Sequence, residues 1–348
     1  MDKRDINSYE IARLAGVSRS TVSRVINNYS NVPPATREKV MKIIEQYNYA
    51  PNLSAQVLAG KRTRTIGLFV IDTGHVAGDA ITNMLIASVI EHASASGYYV
   101  LTHIIRNFRD AATVKNVREI FNQRRIEGGI FIGASNDEPA LEQLIDEGHV
   151  VGIVDQGLSP ERCEPNRVVA NFDNERGIML GVAYLAGLGH RSIGIVNGDM
   201  DRNSGPEKLR GFLKGMERCE IEPQQRWMLT GGFNETAGYE AMKRFLLCGE
   251  QRPTAFVAAN DSAAFGIIQA LHEHGLKVPA HMSIVGFDDH AASARFQPPL
   301  TTIRINFNDL MRELVALVIA VIEQGASTHR TIVSGSELIV RDSCKVVG

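Results

Sequence analysis

Residues 9–27, which read YEIARLAGVSRSTVSRVIN, determine how the chain begins to fold. Five apolar residues in this run have the spacing of two short helices that pack against each other: Ile11, Ala15, Val22, Val25 and Ile26. Gly16 falls between the two helices, where its freedom of backbone conformation allows the chain to reverse. The pattern predicts a helix-turn-helix.

The second helix of this pair is predicted to begin after Ser18, whose hydroxyl can cap the free N–H groups of the first turn. With the apolar side turned inward, the candidate DNA-binding residues are the cap and the polar residues of the helix: Ser18, Arg19, Ser20, Thr21, Ser23, Arg24 and Asn27. In the major groove Arg reads guanine, Asn reads adenine and Ser reads either base. The alternative is a solvated polar helix in a small bundle.

A third helix is predicted from Pro34 to about Tyr49. Its apolar stripe follows the i, i+3, i+4, i+7 pattern: Val40, Ile43, Ile44 and Tyr47. This helix is expected to close the core of a small all-α domain.

Residues 9–27 resemble the signature of the LacI/GalR family of bacterial transcription regulators. The stretches 36–40 (TREKV), 48–52 (NYAPN) and 58–61 (LAGK) continue the resemblance in the order and spacing of the family, and it extends to nearly the whole chain. The resemblance implies an N-terminal all-α helix-turn-helix domain (1–50), a hinge helix and linker (51–63) and an α/β effector-binding and dimerisation domain (64–348). This last domain is expected to be two-lobed and periplasmic-binding-protein-like, with parallel sheets.

In this family the hinge helix pairs with that of a second copy and enters the minor groove, where a Leu wedges between base pairs. The matching residues are Asn52, Ala55 and Leu58. An apolar wedge and the extra contacts of bent DNA can offset the few kcal/mol that partial unstacking costs. A flexible tether is the alternative. Pro33 departs from the family, which usually has a Ser there that caps the third helix.

From Thr65 onward the chain alternates short apolar runs with helical stretches, the signature of stacked βαβ units. Strands are predicted at 66–71, 98–104, 129–132 and 150–154, and then at 168–170, 192–196, 227–229, 255–258 and 282–285. Further strands are expected at 331–333 and 337–340, and a helix at 307–324. The first lobe is predicted to comprise about 64–165 and 301–327, and the second about 166–300 and 328–348.

Ligands of parallel sheets bind beyond the carboxyl ends of the strands. In the family these positions bind a small effector, commonly a sugar, through carboxylates, amides and aromatic rings. The residues that match the cleft of the family are Asp155, Lys208, Phe233, Asn260, Asp288 and Phe307. For Asp261 and Asp289, effector binding and capping of the next helix both remain open.

Lys208 stands where the family has an Arg. Lysine keeps the positive charge but loses the planar fork that grips two oxygens at once. This departure weakens the prediction of a plain sugar and makes a phosphorylated or acidic effector more plausible.

The net charge is divided unevenly along the chain. Residues 1–64 hold 11 Lys or Arg and 5 Asp or Glu, a net charge of +6, whereas the remainder carries −8. A basic N-terminal domain is expected if DNA phosphates are its partner. The sequence has neither an apolar signal segment nor a run of membrane-spanning length, so a cytoplasmic protein without membrane association is predicted.

No sequence pattern indicates catalysis. A Walker loop, a Gly-x-Gly-x-x-Gly after a strand and a Gly-x-Ser-x-Gly elbow are all missing, and the four cysteines do not have zinc-site spacing. We therefore predict a regulator without enzymatic activity, cofactor or metal. It is expected to be a repressor that binds a palindromic double-stranded operator as a homodimer and responds to a sugar, phosphosugar or similar effector. The alternative is a small-molecule-binding module of the same fold without regulatory DNA binding.

Overall fold

The computed structural model describes residues 6–49, 62–71, 76, 79–157, 164–249, 251–325 and 330–347. The chain divides between Thr63 and Arg64 into two compact units. Each unit has a hydrophobic core of its own.

The small unit contains α1 (Ser8–Ala15), α2 (Arg19–Ile26) and α3 (Pro34–Gln46). Its core is built from Ile11, Ala12, Ala15, Val22, Val25, Val32 and Val40. Gly16 ends α1 in the left-handed region, with φ 62°, which allows the reversal between α1 and α2. The two predicted helices of the helix-turn-helix are therefore present. Helix α3 is shorter than predicted, and Tyr47, which was assigned to its apolar stripe, is 46% exposed.

The large unit alternates strands and helices in the order expected of βαβ units. Its elements are β1 (Thr65–Ile71), α4 (Ala80–Ala95), β2 (Tyr99–Ile105), α5 (Ala111–Asn122), β3 (Gly128–Ile132), α6 (Pro139–Asp146), β4 (Val150–Val154), β5 (Arg167–Phe172), α7 (Asn174–Gly187), β6 (Ile193–Asn197), α8 (Ser204–Arg218), β7 (Met228–Thr230), α9 (Glu235–Leu247), β8 (Ala255–Ala258), α10 (Asp261–Glu273), β9 (Ser283–Asp288), β10 (Thr301–Ile305), α11 (Phe307–Gln324), β11 (Arg330–Ser334) and β12 (Ser336–Ile339). No helix within the described ranges is both long and apolar enough to cross a membrane.

These strands form two six-stranded sheets, one in each lobe. The first has the order β11-β5-β4-β3-β1-β2 and the second the order β12-β10-β9-β8-β6-β7. Every pairing in the first sheet is parallel. The second sheet is parallel except at its edge, where β12 runs antiparallel to β10. The inner strands are almost completely buried, as expected of parallel sheets with both faces covered.

The sheet pairings correct the predicted lobe boundaries. Strand β5 was assigned to the second lobe but pairs with β4 in the first, and β10 was assigned to the first lobe but pairs with β9 in the second. Strand β11 likewise belongs to the first sheet, beside β5. The error arose because an apolar run predicts a strand without predicting which neighbour it pairs with.

Three chain crossings connect the lobes, and each is short. They lie between β5 and α7, between β10 and α11, and between β11 and β12. Two of them are hydrogen-bonded to each other, because Asp173 donates its N–H to the carbonyl of Ser334 and accepts at its own carbonyl from the Ser336 hydroxyl. These two crossings thus form one connected part of the hinge.

Candidate functional site: the recognition helix and the interlobe cleft

Helix α2 presents a polar face to solvent. The Ser18 hydroxyl accepts from the Thr21 N–H at 3.1 Å, which confirms the predicted cap. The exposed residues of the predicted DNA-binding set are Ser18, Arg19, Ser20, Ser23 and Arg24. Thr21 is half-buried, with its hydroxyl 2.9 Å from that of Ser18. This face carries two guanidinium groups and several hydroxyls and no carboxylate, so it can donate to base edges and phosphates.

Asn27 is less available than the other predicted DNA-binding residues. It ends α2, is half-buried, and donates its side-chain amide to the Ser23 hydroxyl at 3.3 Å. Its Oδ1 is buried without a hydrogen-bond partner in the described structure. Its position at the end of α2 therefore makes it a weaker candidate for reading a base than Arg19 or Arg24.

Arg37 holds the turn that follows α2, a role that the sequence did not indicate. Its guanidinium donates to the Asn28 side chain at 2.7 Å and to the Tyr29 carbonyl. Asn28 lies in the left-handed region with φ 55°. Pro33 precedes α3 and, as expected from its lack of a hydroxyl, makes no side-chain cap. The predicted hinge residues Asn52, Ala55 and Leu58 lie outside the described residues.

In the large unit, Asp155 joins the two lobes. It follows β4 of the first sheet with φ 64°, and its carboxylate accepts from the Ser204 hydroxyl at 2.6 Å and from the Asn203 amide at 3.4 Å. Ser204 and Asn203 lie at the start of α8 in the second lobe. A second contact crosses nearby, where the Asn136 N–H donates to the Asp201 carbonyl at 3.0 Å. The lobes are therefore in direct contact across the cleft.

Asp288 and Asp289, at the end of β9, both have left-handed backbones, with φ 107° and 56°. Such conformations cost free energy for residues with a side chain and often occur at binding sites. Asp289 forms ion pairs with Arg304 at 2.8 Å and Arg341 at 2.6 Å. Despite the burial of Asp289, hydrogen bonds from these two arginines lower its pKa. Burial raises the pKa of Asp288, and Lys208 opposes that rise.

Asp261 is fully buried beside the loop that follows β9. Its carboxylate accepts from the hydroxyls of Thr302 at 2.5 Å and Ser293 at 2.6 Å, and from the His290 N–H at 2.7 Å. Burial raises the pKa of Asp261 to about 6. Capping was one of the two roles left open for Asp261 and Asp289, and neither has it: Asn260 is the N-cap of α10, and Asn306 is the N-cap of α11, the helix that follows Asp289. Both carboxylates instead fix the loop that carries Asp288.

Asn260 and Phe233 form one unit on the second-lobe side. The Asn260 Oδ1 accepts from the Ala263 N–H at 2.8 Å, and its amide donates to the Phe233 carbonyl at 2.7 Å. The Phe233 ring lies directly over Gly198, where an added Cβ would come within 2.1 Å of it. The side chain of Asn260 therefore already positions Phe233, and Gly198 leaves room for the ring.

Lys208 is buried and already engaged. Its Nζ donates to the Ala259 carbonyl at 2.7 Å and lies 3.2 Å from the centre of the Phe287 ring. Burial lowers the pKa of Lys208 to about 8, although Asp288, Asp155 and Asp261 favour its charged form. The Nζ of this lysine is thus already hydrogen-bonded and enclosed within the protein.

Phe307 lies at the hinge. It begins α11, is only 3% exposed, and packs edge-on against Phe172 with ring centres 5.2 Å apart. These two aromatic rings flank two of the three chain crossings. Phe307 therefore contributes to hinge packing at least as directly as to a ligand surface.

Sequence reasoning missed several residues near the cleft. Ser204 and Asn203 bond Asp155, and Asp79, which caps α4, is close enough to affect the pKa of both Asp288 and His290. Arg202 approaches Gly133 of the first lobe. The sequence could have indicated Ser204, because this residue begins a helix that faces the end of a strand. It gave no such signal for Asp79, which follows a segment without a regular pattern. No three His, Cys, Asp or Glu side chains in the described ranges are grouped as metal ligands.

Comparison with known proteins identifies the family. Residues 9–52 match the bacterial regulatory proteins of the lacI family, and residues 182–344 match a periplasmic binding protein-like domain. The HTH-type transcriptional repressor PurR of Haemophilus influenzae (strain PittEE) is 34% identical over 341 residues, covering 97% of this chain and 98% of the relative. The chain belongs to the LacI family. As a member it is a DNA-binding transcriptional repressor with an effector-binding domain.

Solved structures of LacI-family proteins share the fold. The Lac repressor dimer bound to operator and the anti-inducer ONPF superimposes with a TM-score of 0.84 at 30% identity, covering 98% of this chain and 100% of that one. The regulator CelR in complex with cellobiose has a TM-score of 0.74 at 26% identity, covering 97% of this chain and 99% of that one. The predicted fold class, a helix-turn-helix domain followed by a two-lobed domain with parallel sheets, is therefore confirmed.

Proposed function

We propose that this LacI-family repressor binds a palindromic operator as a homodimer, and that a small molecule in the interlobe cleft controls its affinity for the operator. The observation that carries the proposal is the direct Asp155–Ser204 hydrogen bond across the cleft. A ligand that enters between these lobes must compete with this contact or add to it, so it binds the open and closed states unequally. Unequal affinity is the condition for allosteric control, with a coupling of about 1–3 kcal/mol.

A second copy of the chain would cover apolar surface on the first lobe. Tyr99 is 76% exposed and Ile104 44% exposed on β2, the edge strand of its sheet, and Met84 and Ile90 on α4 are each 40% exposed. Exposed apolar patches and uncovered edge strands favour association. Two copies related by a twofold axis present two recognition helices, which fits a palindromic operator.

The hinge residues complete the DNA-binding proposal. We propose that Asn52, Ala55 and Leu58 enter the minor groove, with Leu58 as the wedge, when two hinge segments pair on the operator. Segments of this length are not stable helices alone in water. Hinge folding would therefore depend on the dimer and the DNA together, and lobe closure could control it.

For the effector we propose a sugar or a sugar derivative, bound by Asp155, Asp288 and Phe233, with Lys208, Asn260 and Phe307 around them. Carboxylates accept from hydroxyls, and an aromatic ring packs against an apolar sugar face. The cellobiose bound by CelR supports this class, because that protein shares the fold. We expect the protein to act in the cytoplasm, where its DNA partner is.

The test is an electrophoretic mobility shift with a library of palindromic duplexes. A retained subset with a common half-site is expected, and the complex should be weakened by Leu58→Ala. If no duplex is retained at low salt, the proposal of a palindromic operator bound by a homodimer is wrong. Thermal-shift screening against sugars, phosphosugars and nucleobases then identifies the effector.

A further inference from the structure

A cavity of about 200 Å³ lies between α7 and α8 of the second lobe. Helix α7 contributes Arg176, Met179, Leu180 and Ala183 to its lining, and α8 contributes Gly215 and Arg218. The cavity shares no residue with the interlobe cleft described above. It is therefore a separate place at which a small molecule can bind.

Two glycines of α8 let this helix lie close to α7. A Cβ added to Gly215 would lie 3.3 Å from the Cα of Met179, and one added to Gly211 would lie 2.3 Å from the carbonyl oxygen of Glu175. Gly211 thus lies beside the first turn of α7, and Gly215 beside the second. The two helices therefore run in the same direction.

This arrangement places the two arginines at opposite ends of the cavity. Arg176 comes three residues before Met179, whereas Arg218 comes three residues after Gly215, the residue that Met179 faces. At 1.5 Å per residue, the two arginines start about 9 Å apart along the helices. A ligand that contacts both must therefore be elongated.

Both arginines have donors to offer. Neither the Arg176 nor the Arg218 guanidinium has an ion-pair or hydrogen-bond partner within the described ranges. Other cations on α8 do have one, since Lys214 and Arg210 lie 2.8 Å and 3.8 Å from the Glu175 carboxylate. A guanidinium presents its N–H groups in a planar fork that matches a carboxylate. The two ends of the cavity are therefore suited to anionic groups.

The cavity is apolar between its ends. Met179 and Leu180 are half-buried and Ala183 is exposed, and Leu180 packs against the main core of the large unit. This surface suits a hydrocarbon chain. Since a cavity of about 150 Å³ admits benzene, the present one can hold an unbranched chain of about six to eight carbons.

We propose that this cavity binds an unbranched aliphatic dicarboxylate. One carboxylate pairs with Arg176, the other pairs with Arg218, and the hydrocarbon chain lies over Met179 and Leu180. Pairs between arginine and carboxylate can form two parallel hydrogen bonds, which fixes the orientation of the ligand. The proposal does not depend on the proposed function, because it concerns a site outside the interlobe cleft.

Suberate, a linear dicarboxylate of the expected length, is the probe, and Cys219 is the reporter. Cys219 is half-buried and lines the cavity, whereas Cys248 is exposed and lies outside it. The full-length protein is alkylated with iodoacetamide at constant ionic strength, and each cysteine is followed by mass spectrometry of its peptide. Suberate should slow the alkylation of Cys219 saturably and leave that of Cys248 unchanged.

Isothermal titration calorimetry measures the same binding without a thiol, and it decides the question if Cys219 is unreactive in the free protein. Octanoate lacks the second carboxylate, octanediol lacks both charges, and succinate is too short to reach both arginines. Each of these three should bind at least about threefold more weakly than suberate.

Arg176→Met and Arg218→Met should each lower the affinity for suberate to that for octanoate. Arg244→Met is the matched control, since Arg244 is exposed on α9 and does not line the cavity, and it should behave as the wild type. Circular dichroism establishes that each variant is folded, and either arginine variant of the cavity suffices.

Three results would overturn the proposal. The first is the absence of calorimetric binding of suberate to the wild type. The second is unchanged affinity in Arg176→Met and Arg218→Met, which would place the bound suberate elsewhere in the protein. The third is equal affinity for suberate and succinate, because a short dicarboxylate cannot join the two ends of the cavity. Operator binding bears on the proposed function alone and leaves each of these results unaffected.

Discussion

The Ser204 hydroxyl donates a 2.6 Å hydrogen bond to the Asp155 carboxylate, and this bond connects the second lobe to the first. It joins the start of α8 to the end of β4, elements that belong to different sheets. The bond exists only while the lobes are close together. The pair therefore stabilises the closed arrangement before any ligand is bound.

Removing this hydroxyl should open the cleft. Ser204→Ala leaves Asp155 without its shortest hydrogen bond, and we expect the free energy of unfolding of the large unit to fall by about 1 kcal/mol. The radius of gyration measured by small-angle X-ray scattering should increase. Thr236→Ala, which removes an exposed hydroxyl from the first turn of α9 in the same lobe, should change neither quantity. Identical scattering from Ser204→Ala and the wild type would exclude a role of the pair in closure.

Arg167 should be among the most sensitive positions of the first lobe. Its guanidinium is 1% exposed and forms ion pairs with Glu142 and Glu164 and a hydrogen bond to Gln156. Arg167→Met removes the cation from a buried network, so the free energy of unfolding should fall by about 3–5 kcal/mol. Chemical denaturation measures this change.

Arg118 provides the control for that experiment. It also pairs with a glutamate, Glu147, but its side chain is 37% exposed. Arg118→Met should therefore cost less than about 1 kcal/mol. Equal losses from the two substitutions would show that burial of the Arg167 network does not determine its contribution.

The raised pKa of Asp261 should make the free energy of unfolding depend on pH. Burial raises its pKa to about 6 from an ordinary value of 3.8, so the folded protein binds a proton more tightly than the unfolded chain. The resulting stabilisation is complete below about pH 4 and is lost as the pH rises to about 6, a change of about 3 kcal/mol. The free energy of unfolding of the wild type minus that of Asp261→Asn should therefore fall as the pH rises through this window. A difference that is constant from pH 4 to 6 would contradict the assignment.

The helix-turn-helix and the βαβ order could be predicted because short-range patterns determine them. The positions of Ser18, Gly16 and the apolar side of α2 follow from helical periodicity and capping. Pairing between distant strands does not, so the sheets to which β5, β10 and β11 belong were assigned wrongly. In the cleft, the contacts of the Lys208 side chain could not be predicted for the same reason. Its charge was visible in the sequence, but its bond to Ala259 depends on an element 51 residues away.

Arg37 should affect operator affinity without affecting base preference. It holds the turn at Asn28 and Tyr29, just after α2. Arg37→Ala frees this turn, so it should weaken binding to all operators by a similar factor, about tenfold or less. Competition between operator variants in a mobility-shift assay measures both quantities. A changed order of preference would instead mean that Arg37 reads a base.

Arg19, unlike Arg37, should affect base preference. It is exposed at the start of α2, where a recognition helix meets base edges. Arg19→Ala should cost about 1–3 kcal/mol on the preferred operator and relax the preference at one position of each half-site. Selection from a randomised half-site library measures this preference. A uniform loss over all sequences would identify Arg19 as a phosphate contact.

The three crossings also set the order in which the protein can be completed during synthesis. The edge strand β11 of the first sheet and the edge strand β12 of the second lie within residues 330–339. Neither lobe has all its strands until the ribosome has translated residue 339, whereas the small unit is translated before residue 64. A nascent chain can thus hold a folded DNA-binding unit without a complete effector-binding unit, so the protein acquires control by the effector after it acquires its recognition helix.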